Sequence, residues 1–281
     1  MRAYRWFAAL SPRRRLLVGA TLLLAAGFVV AGVRLAAQGG DATAPGDPGK
    51  SEPGVSAPVA VVLVPGYGGS TRSLGALAAR IRAMGDAATI VALPSGGTGD
   101  LETQADVLNG YVNRALRGGA RSVDVLGYSA GGVVTRLWDV EHAGASKVRR
   151  IITLGSPLHG AELAAVGTAV GPVACPVACQ QLVPGSALLT RLDRIPLGGR
   201  PAWLSLWTVN DRTVQPPDSA RLPGAVNVPL QSVCPGAVIQ HGQLPSDPLV
   251  VGIVVRALGP APLTAPAAAD CGSLRALGSA G

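Results

Sequence analysis

The chain has 281 residues, 48% of them hydrophobic and 14% charged, a balance that excludes a disordered polypeptide and suffices for one large domain with a buried core. The net charge of +8 points to a polyanionic partner until it is divided along the chain. Six of the 24 basic residues, Arg2, Arg5, Arg13, Arg14, Arg15 and Arg34, lie within residues 1–37, which hold no acid; the rest carries 18 basic against 16 acidic side chains. That near-neutral remainder removes the case for a nucleic-acid surface.

Residues 16–33 run eighteen positions without a charge, about 27 Å of helix at roughly 1.5 Å per residue, close to the thickness of a bilayer core. Arginines on the N-terminal side predict an N-in orientation, with everything after Arg34 outside the cytoplasm. Residues 1–37 therefore read as a signal anchor or a signal peptide. The run is longer than a usual signal-peptide core, and Leu35-Ala36-Ala37 is an imperfect cleavage site. Residues 38–57, rich in Gly, Pro, Asp, Ser and Ala, cannot bury enough surface to fold and read as a flexible linker to a domain at 58–281. The expected location is extracytoplasmic, either membrane-anchored through residues 16–33 or secreted.

Within the domain, the apolar run 59–64 predicts a parallel strand buried on both faces. The turn Pro65-Gly66-Tyr67-Gly68-Gly69-Ser70 leads into a helix with Leu74, Leu77, Ala78, Ile81 and Met84 on one face, Ser70 or Thr71 as its cap and Gly85 as its stop. A second strand is expected at 89–93. Asp100 caps a helix whose Leu101, Ala105, Leu108 and Val112 face the core until Gly118. The third strand, at 123–126, runs through Gly127-Tyr128-Ser129-Ala130-Gly131 into a helix carrying Val133, Val134, Leu137 and Trp138. Further strands are expected at 151–154, 204–209 and 225–228, and a last amphipathic helix at 248–258. Residues 160–200 are the least regular stretch and the candidate cap. Six strands alternating with helices predict a six-stranded, mostly parallel sheet covered by helices on both faces, preceded by one N-terminal hydrophobic segment.

Gly127-Tyr128-Ser129-Ala130-Gly131 matches the G-x-S-x-G nucleophile elbow, in which a strained strand-to-helix turn lifts a serine above the sheet. A serine hydroxyl becomes a strong nucleophile when a histidine takes its proton and a carboxylate orients that imidazole. His241 is the one histidine after the fifth strand and the candidate base; His142 and His159 read as solvated or structural. Asp211, just after the fifth strand, is the candidate acid, with Asp218 as competitor; Asp193 reads as a solvated charge and Asp247 as a helix cap. Backbone N–H groups of Tyr67 and Ala130 are the candidate oxyanion donors.

Of the three complete pairings open to Cys175, Cys179, Cys234 and Cys271, we expect Cys175 with Cys179 and Cys234 with Cys271, the second tethering an irregular C-terminal tail. Zinc is disfavoured because the C-x-x-x-C lacks a nearby second ligand pair.

With these residues placed, the sequence resembles the bacterial extracellular lipase and esterase family of small α/β-hydrolases, particularly its actinobacterial members. The resemblance spans about 58–258 and rests on four ordered blocks: Val64 to Ser70, Gly127 to Gly132, Thr153 to Gly160, and Asp211 through Asp218-Ser219-Ala220 to His241-Gly242. It implies a minimal α/β-hydrolase fold and a serine carboxylester hydrolase without metal or organic cofactor, with Ser129 as nucleophile, Asp211 as acid and His241 as base. Tyr67 and Ala130 would be its oxyanion donors. The chain departs from the family at Pro65-Gly66, where many relatives have His-Gly. An ester or lipid substrate, a monomer and no nucleic-acid partner are expected. Acyl transfer to a cell-envelope acceptor would use the same triad, and a silent binding protein would keep the fold without using it.

Overall fold

The computed structural model describes residues 59–171 and 173–280; the N-terminal hydrophobic segment and the linker lie outside them. Strands β1 (Val59–Val64), β2 (Ala87–Ile90), β3 (Ser122–Tyr128), β4 (Arg150–Leu154), β5 (Ala202–Trp207) and β6 (Val226–Pro229) form one sheet. Its order is β2-β1-β3-β4-β5-β6, and every neighbouring pair is parallel. The continuous apolar run of β1 is buried at all six positions, as a central strand covered on both faces requires.

The helices are α1 (Arg72–Ala83), α2 (Leu101–Arg117), α3 (Ala130–Glu141), α4 (Glu162–Val170), α5 (Val177–Gln181), α6 (Ala187–Asp193), α7 (Leu230–Val233), α8 (Pro248–Leu258) and α9 (Cys271–Ser279). Strand side chains alternate between faces, so two cores form. One packs Val61, Leu63 and Leu126 against α1, α8 and Leu274 of α9. The other packs Val62, Val64 and Val125 against α2, α3 and the α4–α6 region. Because β2 and β3 flank β1 on opposite sides, the chain reverses its direction across the sheet between β1 and β3. A crevice opens there at the carboxyl ends of the strands.

Several expectations are corrected. β2 sits at Ala87–Ile90, starting two residues and ending three residues before the predicted strand. β5 ends at Trp207, so Asp211 follows it after Thr208, Val209 and Asn210. Asp100 does cap α2, accepting from Glu102 and Thr103 N–H, but neither Ser70 nor Thr71 caps α1 through its side chain, and Met84 lies past that helix and is exposed. Residues 160–200 hold three short helices. The C-terminal tail is helical too, so α8 is not the last helix, nor is it amphipathic: nine of its eleven residues are buried between the sheet and α9. Asp247 caps it, accepting from Leu249 N–H at 2.8 Å. Among the described residues, no helix is long and apolar enough to cross a membrane.

Candidate active site

Ser129 stands between β3 and α3 with φ 54° and ψ −130°, a conformation that costs a non-glycine residue roughly 1–3 kcal/mol. The two elements meet too closely for side chains. A Cβ on Gly127 would come within 2.6 Å of Gly132 Cα, and one on Gly131 would overlap the carbonyl oxygens of Val64 and Pro65. The Ser129 N–H donates to Leu154 O at 2.9 Å, so the neighbouring strand holds the strained residue in place.

Asp211 is 1% exposed. Its Oδ1 accepts from the N–H groups of Thr213 and Val214, both at 2.8 Å, which leaves Oδ2 for His241 Nδ1 at 2.6 Å. A carboxylate accepts and cannot donate, so Nδ1 carries the hydrogen. Nε2 is then free to accept from the Ser129 hydroxyl, 3.0 Å away. The three candidate residues are therefore joined in the order that lets the serine proton pass to an imidazole held by a buried carboxylate.

The imidazole is fixed from several sides. The Tyr128 ring stacks on it with centroids 5.2 Å apart, and the Tyr128 hydroxyl donates to His241 O at 3.2 Å. Burial, with a smaller contribution from the Asp211 charge, pushes the Tyr128 phenol up to about 12. The Thr208 hydroxyl donates to Ile239 O at 2.8 Å, and the Gln231 amide lies within 3.0 Å of Thr208 Oγ1, Asn210 Oδ1 and Ala237 O. These contacts fasten the segment that carries the histidine to the segment that carries the aspartate. Gly155, at φ +53°, packs against both: a Cβ there would stand 3.2 Å from His241 Nδ1 and 3.4 Å from Asp211 Oδ2. Tyr128 and Gly155 lie inside the motifs already singled out, yet Gln231 carries no sequence signal, because its bonds to Thr208 and Asn210 reach over 20 residues along the chain.

Ser129 opens into a cavity of about 350 Å³, within the size range of small-molecule sites. Tyr67, Ala130, Ala161, Leu163, Val166 and Val214 are among the residues that line it with Ser129, and none of the described lining residues is charged. Ala130 is the first residue of α3, so its N–H has no intrahelical acceptor.

The remaining candidates are engaged elsewhere. His142 pairs with Asp106 at 2.9 Å. His159 places Nδ1 2.7 Å from Asp193 and Nε2 2.9 Å from Arg221 O, and the half-exposed Asp193 is a solvated charge with a histidine beside it. Asp218 sits in the first turn of a short 3-10 helix, Pro217–Ala220, and it is Asp211 that bonds His241. Cys175 is bonded to Cys179 and Cys234 to Cys271, with Cα atoms 5.1 and 5.4 Å apart. Among the described residues no cluster of His, Cys, Asp or Glu has the arrangement of a metal site.

A family described as a PGAP1-like alpha/beta domain matches residues 90–170, the stretch from the end of β2 through the elbow to α4. The structure is similar to that of lipase B from Aspergillus fumigatus, with a TM-score of 0.59 and 19% identity over 72% of this chain and 52% of that one. It is also similar to the mature form of the lipase BlEst2 from Bacillus licheniformis, with a TM-score of 0.51 and 22% identity over 65% of this chain and 86% of that one. The fold is that of the α/β-hydrolases. The chain spans about half the length of the Aspergillus fumigatus lipase it matches. No curated protein sequence matches it.

Proposed function

We propose that the chain is an exported serine carboxylester hydrolase of the lipase or esterase type. The observation that carries this reading is the bonded series Ser129, His241, Asp211 opening at Ser129 into an uncharged cavity. Ser129 Oγ attacks the ester carbonyl carbon while His241 Nε2 takes the hydroxyl proton; the imidazolium then gives that proton to the departing alcohol, leaving an acyl-enzyme. Water, deprotonated by the same nitrogen, releases the acid. The Tyr67 and Ala130 N–H groups receive the oxyanion of each tetrahedral intermediate. Tyr67 is close enough in the chain to Gly66, where an added Cβ would stand 3.3 Å from Ser129 Oγ, for its loop to flank the nucleophile.

The uncharged lining supports an apolar acyl group on the acid side of the ester, and the lipases among the structural neighbours agree with such a substrate. Two disulfides and the basic, then apolar, N-terminal segment support export. The test is turnover of p-nitrophenyl esters, short acyl to long, by the full chain with its disulfides intact, beside labelling of Ser129 by a fluorophosphonate. Turnover with labelling upholds the reading. Labelling without turnover indicates acyl transfer, and neither indicates a silent fold.

A further inference from the structure

We propose that the Cys175–Cys179 disulfide is a positioning element for substrate length, holding α4 in place as the wall that covers a long acyl chain. This rests on the ester-hydrolase reading above. α4 is weakly anchored by its own side chains: Ala164 is its one buried residue, while Leu163, Val166 and Val170 are 59%, 61% and 74% exposed. The start of the helix is held by the Glu162 N–H, which donates to Gln215 O at 2.9 Å. Beyond that turn, the disulfide is its support.

The two sulfurs lie 3.6 and 3.8 Å from Ala164 O, and Cys175 Sγ is 3.2 Å from Thr168 Oγ1. A Cβ on Gly167 would stand 3.3 Å from Cys179 Sγ and 3.5 Å from Cys175 Cβ, so the glycine lets the helix lie directly on the bond. Disulfide sulfurs carry no hydrogen, and the contact is close packing, which falls off within an ångström of separation.

The other side of the bond is fastened to the body of the domain. Cys179 belongs to α5, where the Ala178 N–H donates to Thr98 O at 3.1 Å. Gln181 accepts from Leu101 N–H at 2.8 Å and donates to Asp100 Oδ2 at 3.1 Å, which ties α5 to the first turn of α2. Rigidity therefore passes from α2 through α5 and the disulfide to α4. Leu163, Ala164, Val166 and Gly167 of that helix line the cavity, whereas Cys175 is fully buried and does not. A short acyl group occupies the end beside Ser129, Ala130 and Pro157 and has no need of α4. A longer chain lies along the helix.

The test compares p-nitrophenyl acetate with p-nitrophenyl dodecanoate in the full-length wild type and in Cys175→Ala, which breaks the bond at the cysteine that does not line the cavity and leaves Cys179 in the wall as a small, uncharged thiol. The expected result is a fall of about tenfold in kcat/KM for dodecanoate, carried by KM, the loss of one to two covered methylenes. Acetate kcat and the rate of Ser129 labelling stay within about twofold. Gln181→Ala is the second variant, releasing α5 from α2 with the bond intact and no lining residue changed, and should shift the acetate-to-dodecanoate ratio the same way even if Cys175→Ala does not fold. An unchanged ratio in both variants, or an equal fall for both esters, would overturn the proposal while leaving the ester-hydrolase reading standing. A wild type that turns over neither ester would overturn both.

Discussion

Ser129, His241 and Asp211 are each held by a different local device: a strained elbow, a stacked tyrosine and a pair of backbone N–H groups. Under the proposed mechanism, Ser129→Ala should lower kcat by roughly 10⁶ and Asp211→Asn by roughly 10⁴, the latter because an amide can orient the imidazole in the wrong tautomer. Steady-state hydrolysis of an activated ester measures both, and a loss below a hundredfold for Ser129→Ala would mean that another nucleophile acts. Tyr128 supplies a pH prediction. Its folded pKa of about 12 lies above the ordinary value of 10.0, so between those values the unfolded chain has lost a proton that the native state keeps. The Tyr128 contribution to stability is then constant below about pH 10 and falls as pH rises toward 12, by up to about 2–3 kcal/mol. Tyr128→Phe should remove that share of the alkaline decline in urea unfolding measured from pH 9 to 12, and an unchanged decline would sink the assignment. The three candidate residues were legible because motif and chain order single them out. Tyr128 as a stacking partner and Gln231 as a brace were not, since both act through residues distant in sequence.

At the scale of elements, strand-to-helix crossings decide what the sequence tolerates. Gly131→Ala would drive a methyl group into the carbonyls of Val64 and Pro65, and backbone cannot move aside as a side chain can. The expected cost is about 2 kcal/mol or more, together with loss of the Ser129 geometry. Urea unfolding and fluorophosphonate labelling of the same variant check the two effects, and wild-type values in both would show that the elbow has slack. β1 was legible from an uninterrupted apolar run, the other strands from shorter, largely apolar segments, and α2 from its cap and spacing, because burial on both faces of a central strand and a 3.6-residue period leave direct marks in a sequence. α4 to α6 were not: with nine, five and seven residues, they are too short for a period to emerge. α9 was hidden for another reason. Gly272 and Gly278 are poor helix formers, and the helix is held by close backbone approach rather than by an apolar stripe.

The site depends on the whole molecule because its three residues are spread over a sequence separation of 112 and meet only when the sheet is complete. The nucleophile rises at the reversal between β1 and β3, the carboxylate follows β5, and the base arrives after β6 on the stretch from α7 to His241. That last stretch has little regular structure, and its support continues into the C-terminal helix. Cys234 ends α7, and its disulfide partner Cys271 begins α9, which packs on α8 where Gly252 and Gly278 let the backbones nearly touch. The C-terminal helix thus acts as a remote anchor for the segment carrying the base. With the cysteines at a sequence separation of 37, the bond is worth about 4 kcal/mol in the chain-entropy model. The double substitution Cys234→Ala with Cys271→Ala should lower urea stability by an amount of that order. If the anchor reading holds, hydrogen exchange in the native state should accelerate over residues 230–241 together with 271–279, and activity should be lost at a lower temperature. Acceleration confined to 271–279 would mean that α9 only covers α8 and that Tyr128, Thr208 and Gln231 hold the histidine segment without it.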